Sequence, residues 1–92
     1  MHAMSATVTQ QLRAAIERAL MPRSLEIVDD SASHAGHAGA RAGGHFRVTL
    51  VAEVFRGRSR LERHRLVYDA VAPLMRDRVH ALNIVARSPD ET

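Results

Sequence analysis

Two stretches of this chain read as β-strands, and the segment between them is long enough to hold a helix. Phe46, Val48, Leu50, Ala52 and Val54 alternate with Arg47, Thr49, Val51 and Glu53, the clearest period-two pattern present. Val79-His80-Ala81-Leu82-Asn83-Ile84-Val85-Ala86 forms another apolar run. Roughly two dozen residues separate the two, which suits a parallel crossover and is far more than a hairpin needs. Gly57 breaks the first run. Ser59-Arg60-Leu61-Glu62 then has the form of a capping box, so a helix is expected from about residue 60. Leu61, His64, Tyr68, Val71 and Ala72 are expected on its apolar face. Pro73 kinks or restarts it, leaving a short piece with Leu74 and Met75.

The other elements fall around this unit. Val8, Leu12, Ile16 and Leu20 recur every four residues, an amphipathic helix that Ser5 or Thr7 could cap and Met21-Pro22 ends. Residues 24–29 alternate well enough for a short strand. Residues 31–44 carry four glycines and no periodicity, which reads as a long flexible Gly/Ala/His loop. Ser88-Pro89-Asp90-Glu91 looks like another helix start, with residues 88–92 its truncated beginning. The expectation is one α/β (α+β) domain over residues 1–92, of order αββααβ. It has a three-stranded mixed sheet, the first two strands paired as a hairpin, the second and third parallel, and helices on one face.

That topology gathers histidines. The exit of the first strand and the entries of the second and third would lie at one end of the sheet, bringing His34 or His37 near His45 and His80. With no cysteine in the chain, a disulfide framework, a Cys-based zinc site and a thiol nucleophile are all excluded. Clustered imidazoles suit a soft or borderline metal. Strand-end histidines satisfied by backbone or water are the commoner case, and a zinc site built from three or four of them is a further alternative. No Ser–His–Asp arrangement, carboxylate pair or phosphate loop is legible, so a binding or adaptor protein is expected, not an enzyme.

All 13 basic residues are arginine, which excludes Schiff-base and P-loop lysine chemistry. The net charge of +3 is concentrated between residues 47 and 65, where six arginines face two glutamates. Arg56, Arg58, Arg60, Arg63 and Arg65 could contact phosphates near a helix N-terminus. They fit a solvated or protein-docking face equally well, because no aromatic residues interleave as a stacking platform. An aromatic share of 3 % means an aliphatic core. No apolar run approaches the length of a membrane span, so a cytoplasmic location away from membranes is expected.

Several motifs, in this order and spacing, resemble one known family over nearly the whole chain. They are His45-Phe46-Arg47-Val48; Phe55-x-Gly57-x-Ser59 followed by Arg63-His64-Arg65-x-Val67-Tyr68; and Val79-His80-Ala81-Leu82-x-Ile84 followed by Ser88-Pro89-x-Glu91. The chain resembles the BolA family, which implies an αββααβ domain related to class II KH folds. The resemblance also implies a monothiol glutaredoxin partner and a shared [2Fe–2S] cluster in iron–sulfur trafficking or iron/redox sensing. In that heterodimer the glutaredoxin cysteine and its glutathione give sulfur, and the BolA-like chain gives the histidine of the His-Ala-Leu strand start, here His80. A second ligand from the loop corresponds to His34, with His37 as the alternative. No cluster is expected in the isolated chain.

The family's second theme is stress-response transcriptional regulation through DNA, attributed to a helix-turn-helix-like segment that corresponds to residues 56–65. Duplex DNA binding by this chain is expected to be weak and salt-dependent. Gly36-His37-Ala38-Gly39 spells the GxxG backbone clamp of KH domains. It lies between two strands, where a KH clamp lies between two helices, so KH-type RNA binding is disfavoured.

Overall fold

The computed structural model describes residues 7–30, 44–76 and 78–91. Thr7 starts the first helix: its Oγ1 accepts the Gln10 N–H at 3.1 Å, and Gln10 Oε1 accepts the Thr7 N–H at 2.9 Å. Helix α1 runs Val8–Leu20 and buries Leu12, Ile16 and Leu20, the four-residue repeat read from the sequence. Met21 ends it in the left-handed conformation (φ 49°, ψ 56°), with its N–H on the Glu17 carbonyl. Pro22 prevents resumption.

Strand β1 (Ser24–Asp29) pairs antiparallel with β2 (Gly44–Val51), and β2 pairs parallel with β3 (Val79–Arg87), giving the order β1-β2-β3. Between β2 and β3 lie helices α2 (Arg60–Ala70) and α3 (Ala72–Met75), the crossover that the spacing predicts. The sheet's apolar face aligns Leu25, Leu50 and Ala86 in one row and Ile27, Val48 and Ile84 in the next. Together with Phe46 and Leu82 these residues meet Leu12, Ile16 and Leu20 of α1 and Val67 and Val71 of α2 in one aliphatic core. The mixed three-stranded α+β fold is therefore the one expected. Pro73 sits in the first turn of α3, restarting the helix after Val71. Among the described residues no helix is long and apolar enough to cross a membrane.

Two local expectations are corrected. First, β2 stops at Val51 rather than running to Val54, because its ladder ends there. The Val51 carbonyl takes the Arg23 N–H at 2.7 Å, and the Ala52 N–H goes to the Arg87 carbonyl at 3.0 Å. A 3-10 turn over Glu53–Phe55 follows and buries Phe55 completely. Gly57 at φ 71° completes the reversal, a conformation that disfavours side chains.

Second, the buried line of α2 is Arg63, Val67 and Val71; of the expected face Val71 is buried, but Leu61 and Tyr68 are not. Leu61 remains 60 % exposed and Tyr68 39 %. Ser59 and Glu62 do form the capping box, with N···O distances of 2.9 and 3.1 Å, so the start of the helix was legible although its face was not. The helix start expected at Ser88-Pro89-Asp90-Glu91 forms as a single 3-10 turn over Pro89–Glu91, with Pro at its first position.

Candidate functional site

The histidine end of the sheet is built by an irregularity in register. Gly44 pairs with Val79, but the next residue of β2, His45, pairs with Ala81. His80 is thus the extra residue of a β-bulge. Its effect is visible in burial: Val79 and Leu82 are both buried although three positions apart, so the alternation changes phase across His80. The bulge aims the His80 side chain outward, where it is exposed at the mouth of the sheet. An unbroken strand would have spent that position on ordinary alternation.

His45 stands beside it. The two rings have centroids 5.2 Å apart and planes tilted by 35°. His45 is half-buried, and its carbonyl accepts the Asp30 N–H at 2.7 Å, tying the exit of β1 to the entry of β2. Gly44 donates its N–H to the Arg78 carbonyl at 3.3 Å, tying β2 to the approach to β3. A Cβ on Gly44 would lie 2.2 Å from Cε1 of the buried Phe46 ring, so the ring occupies the space a larger residue would need. Arg47 pairs with Asp30 at 3.3 Å on the same end. The strand ends thus converge as the topology requires, with His45 and His80 brought together. His34 and His37 lie outside the described residues.

The donor set limits the chemistry. Among the described residues no group of three or more His, Cys, Asp or Glu could hold a metal ion. His80 and His45 offer nitrogen donors, and the chain has no thiolate. Such an end can add a nitrogen ligand to a metal centre held mainly by another molecule.

The opposite end of β3 is organised differently. Arg63, its side chain only 11 % exposed, holds Glu91 through Nη1 at 2.6 Å and Nη2 at 2.8 Å. It also donates to the Arg58 and Ala86 carbonyls at 3.0 and 3.1 Å. Glu91 accepts the Ser88 N–H as well, and these bonds, Arg63 first, pull its carboxyl down to about 2. Arg56 pairs with Glu53 at 2.6 Å and with Asp90 at 3.4 Å, while Glu53 also pairs with Arg23. The hydrogen bond from Arg56 is the main reason the Glu53 carboxyl lies below its usual range.

Of the five arginines expected to face phosphate, Arg63 is therefore a structural residue of the fold and Arg56 is half-committed. Arg58 donates through Nε to the Val54 carbonyl at 2.9 Å, leaving the rest of its guanidinium outward. Arg60 and Arg65 are exposed. His64 is half-buried between the two ends.

Comparison with known proteins agrees with this architecture. The model of the family described as BolA-like protein matches residues 16–91. BolA-like protein 1 of Mus musculus is 44 % identical over 82 residues, covering 89 % of this chain and 58 % of that protein. The DNA-binding transcriptional regulator BolA of Escherichia coli (strain K12) is 40 % identical over 75 residues, covering 82 % of this chain and 66 % of that protein. The chain thus spans little more than half the length of the mouse relative. Among solved structures, the BolA domain of SufE1 from Arabidopsis thaliana superposes with a TM-score of 0.82 at 37 % identity, covering 97 % of this chain and all of that one. With its αββααβ order, the bulged His-Ala-Leu strand start and a family match over most of its length, this chain belongs to the BolA-like family.

Proposed function

We propose that this chain is a BolA-type adaptor that pairs with a monothiol glutaredoxin and contributes His80 to a shared [2Fe–2S] cluster. The reading is supported above all by the bulge, which takes His80 out of the ladder and exposes it beside His45. A [2Fe–2S] cluster ordinarily needs thiolates, so the cysteine and glutathione sulfurs come from the partner. The bound cluster supplies one-electron and iron-transfer chemistry, at a potential raised by nitrogen in place of sulfur.

The chain's own residues present and orient the imidazole. Gly44 and Phe46 fix the strand entry, and His45 flanks the His80 ring. His34, or alternatively His37, is the second ligand in this proposal. A neutral imidazole binds iron more weakly than an anionic thiolate and is released on protonation, which suits trafficking or sensing better than permanent storage. The role is that of an adaptor without catalysis. Mixing the chain with a monothiol glutaredoxin, iron, sulfide and glutathione should give a heterodimer whose visible absorption and circular dichroism differ from those of the glutaredoxin homodimer. Spectra identical to the homodimer's would contradict it.

A second reading, DNA binding, is favoured by the name of the Escherichia coli relative and by the exposed Arg60 and Arg65. Its test spares Arg63, whose loss would disturb the fold. Arg60→Ala with Arg65→Ala should weaken duplex binding alike for all sequences and lower its salt dependence. Unchanged affinity would contradict it.

A further inference from the structure

The outer edge of β3 carries a surface that the glutaredoxin reading does not use and that shares only Arg60 with the DNA reading. β3 pairs with β2 on one side only, so its other edge is open within the sheet. In a parallel ladder, successive residues direct their backbone groups to opposite sides. The Arg87 carbonyl accepts the Ala52 N–H on the β2 side. The Leu82 and Ala86 carbonyls are reached by side chains of α2, the Tyr68 hydroxyl at 3.2 Å and Arg63 Nη1 at 3.1 Å. Ile84 lies midway between them and in the same phase. Its N–H and C=O therefore point to the open edge, and among the described residues no side chain bonds either. The edge is capped at both ends and open in the middle.

That middle is the floor of a groove of about 640 Å³, walled on its far side by Arg58, Arg60 and His64 at the start of α2. Arg63, Arg87 and Glu91 also line it, and Glu91 is already paired with Arg63. The charge left to face an incoming chain is that of Arg58, Arg60 and Arg87, and it is positive. A bare strand edge recruits another strand, and the charges beside it decide which one. A second copy of this chain would bring the same arginines against themselves. An acidic strand would meet opposite charge along the groove.

We propose that the open edge of β3 takes up an extended acidic segment of a partner polypeptide as an additional strand centred on Ile84. Backbone hydrogen bonds to Ile84 give the attachment, and carboxylates opposite Arg58, Arg60 and Arg87 give the selectivity. This surface lies along the C-terminal half of β3, away from the His80 bulge, and stands independently of the glutaredoxin reading.

The test uses the full chain and three capped octapeptides: one alternating Glu and Val, one alternating Lys and Val, and the acidic one N-methylated at every second residue. Amide NMR should show the acidic peptide perturbing Leu82, Ile84 and Ala86 and slowing exchange of the Ile84 N–H. The lysine and N-methylated peptides should each bind at least about tenfold more weakly, as should the acidic peptide to Arg60→Ala with Arg87→Ala. Equal binding of the N-methylated peptide would overturn strand addition. So would failure of the acidic peptide to shift the Ile84 amide, or a single-stranded oligonucleotide of equal charge shifting these amides more strongly than the acidic peptide.

Discussion

The two ends of β3 are built on opposite plans. At its C-terminal end Arg63, Glu91, Ser88, Asp90 and Arg56 are joined by ion pairs and hydrogen bonds that lock the final turn onto α2. At its N-terminal end the ladder slips by one residue, and His80 is left exposed with a second imidazole beside it. The first end holds the fold together through side chains that pair with one another. At the second, Phe46 and Val79 are buried while the His80 imidazole stands exposed, the ligand of the proposed cluster. The ionic lock and the proposed cluster ligand thus lie at opposite ends of one strand, and substitutions of Glu91 and of His80 should fail in different ways.

The largest effect belongs to the locked end and the core beneath it. Phe55→Ala, removing a fully buried ring from the turn after β2, should destabilise the fold by about 3–5 kcal/mol in chemical denaturation. A loss below about 1 kcal/mol would mean that the turn does not anchor this end. Next comes the cap of α2: Ser59→Ala should cost about 1 kcal/mol, measured the same way, since Ser59 Oγ accepts the Glu62 N–H.

The ionic lock should respond to acid. The Glu91 carboxyl is depressed to about 2 from its ordinary 4.5, so its charged form is favoured by folding. Its contribution is complete above about pH 4.5 and is lost as pH falls toward 2. Glu91→Gln should therefore lower Tm at neutral pH and remove part of the acid sensitivity between those values. An equal Tm loss in the mutant and parent across that range would break the comparison. Smallest of all, His80→Ala should leave stability within about 0.5 kcal/mol, because the side chain is exposed and outside the ladder.

Much of this was legible without coordinates. The four-residue repeat of α1, the alternation of β2 and the Ser59–Glu62 box are local signals; the repeat and the box form where read, and the alternation does so as far as Val51. The parallel pairing of β2 and β3 followed from connection length alone. What failed was the inward face of α2, because Arg63 occupies a position that hydrophobic pattern assigns to an apolar residue. An arginine can fill it only because Glu91, distant in sequence, completes its hydrogen bonds. The overextended β2 failed for a related reason: Phe55 is buried by a turn, so the last apolar residues no longer follow strand period. The pairing of His45 with His80 was legible from topology, but the bulge was not inferred. Its trace is the three-residue spacing of Val79 and Leu82 in an otherwise period-two run, and a neighbouring strand is needed to read it.

The most direct measurement compares His80→Ala with the parent chain in the reconstituted mixture of monothiol glutaredoxin, glutathione, iron and sulfide. The variant should remain folded, since the His80 side chain is exposed, and should lose or badly weaken the heterodimer's distinctive visible circular dichroism. His34→Ala and His37→Ala should give smaller losses. A folded His80→Ala variant that forms the same heterodimer with an unchanged spectrum would contradict cluster ligation at the bulge.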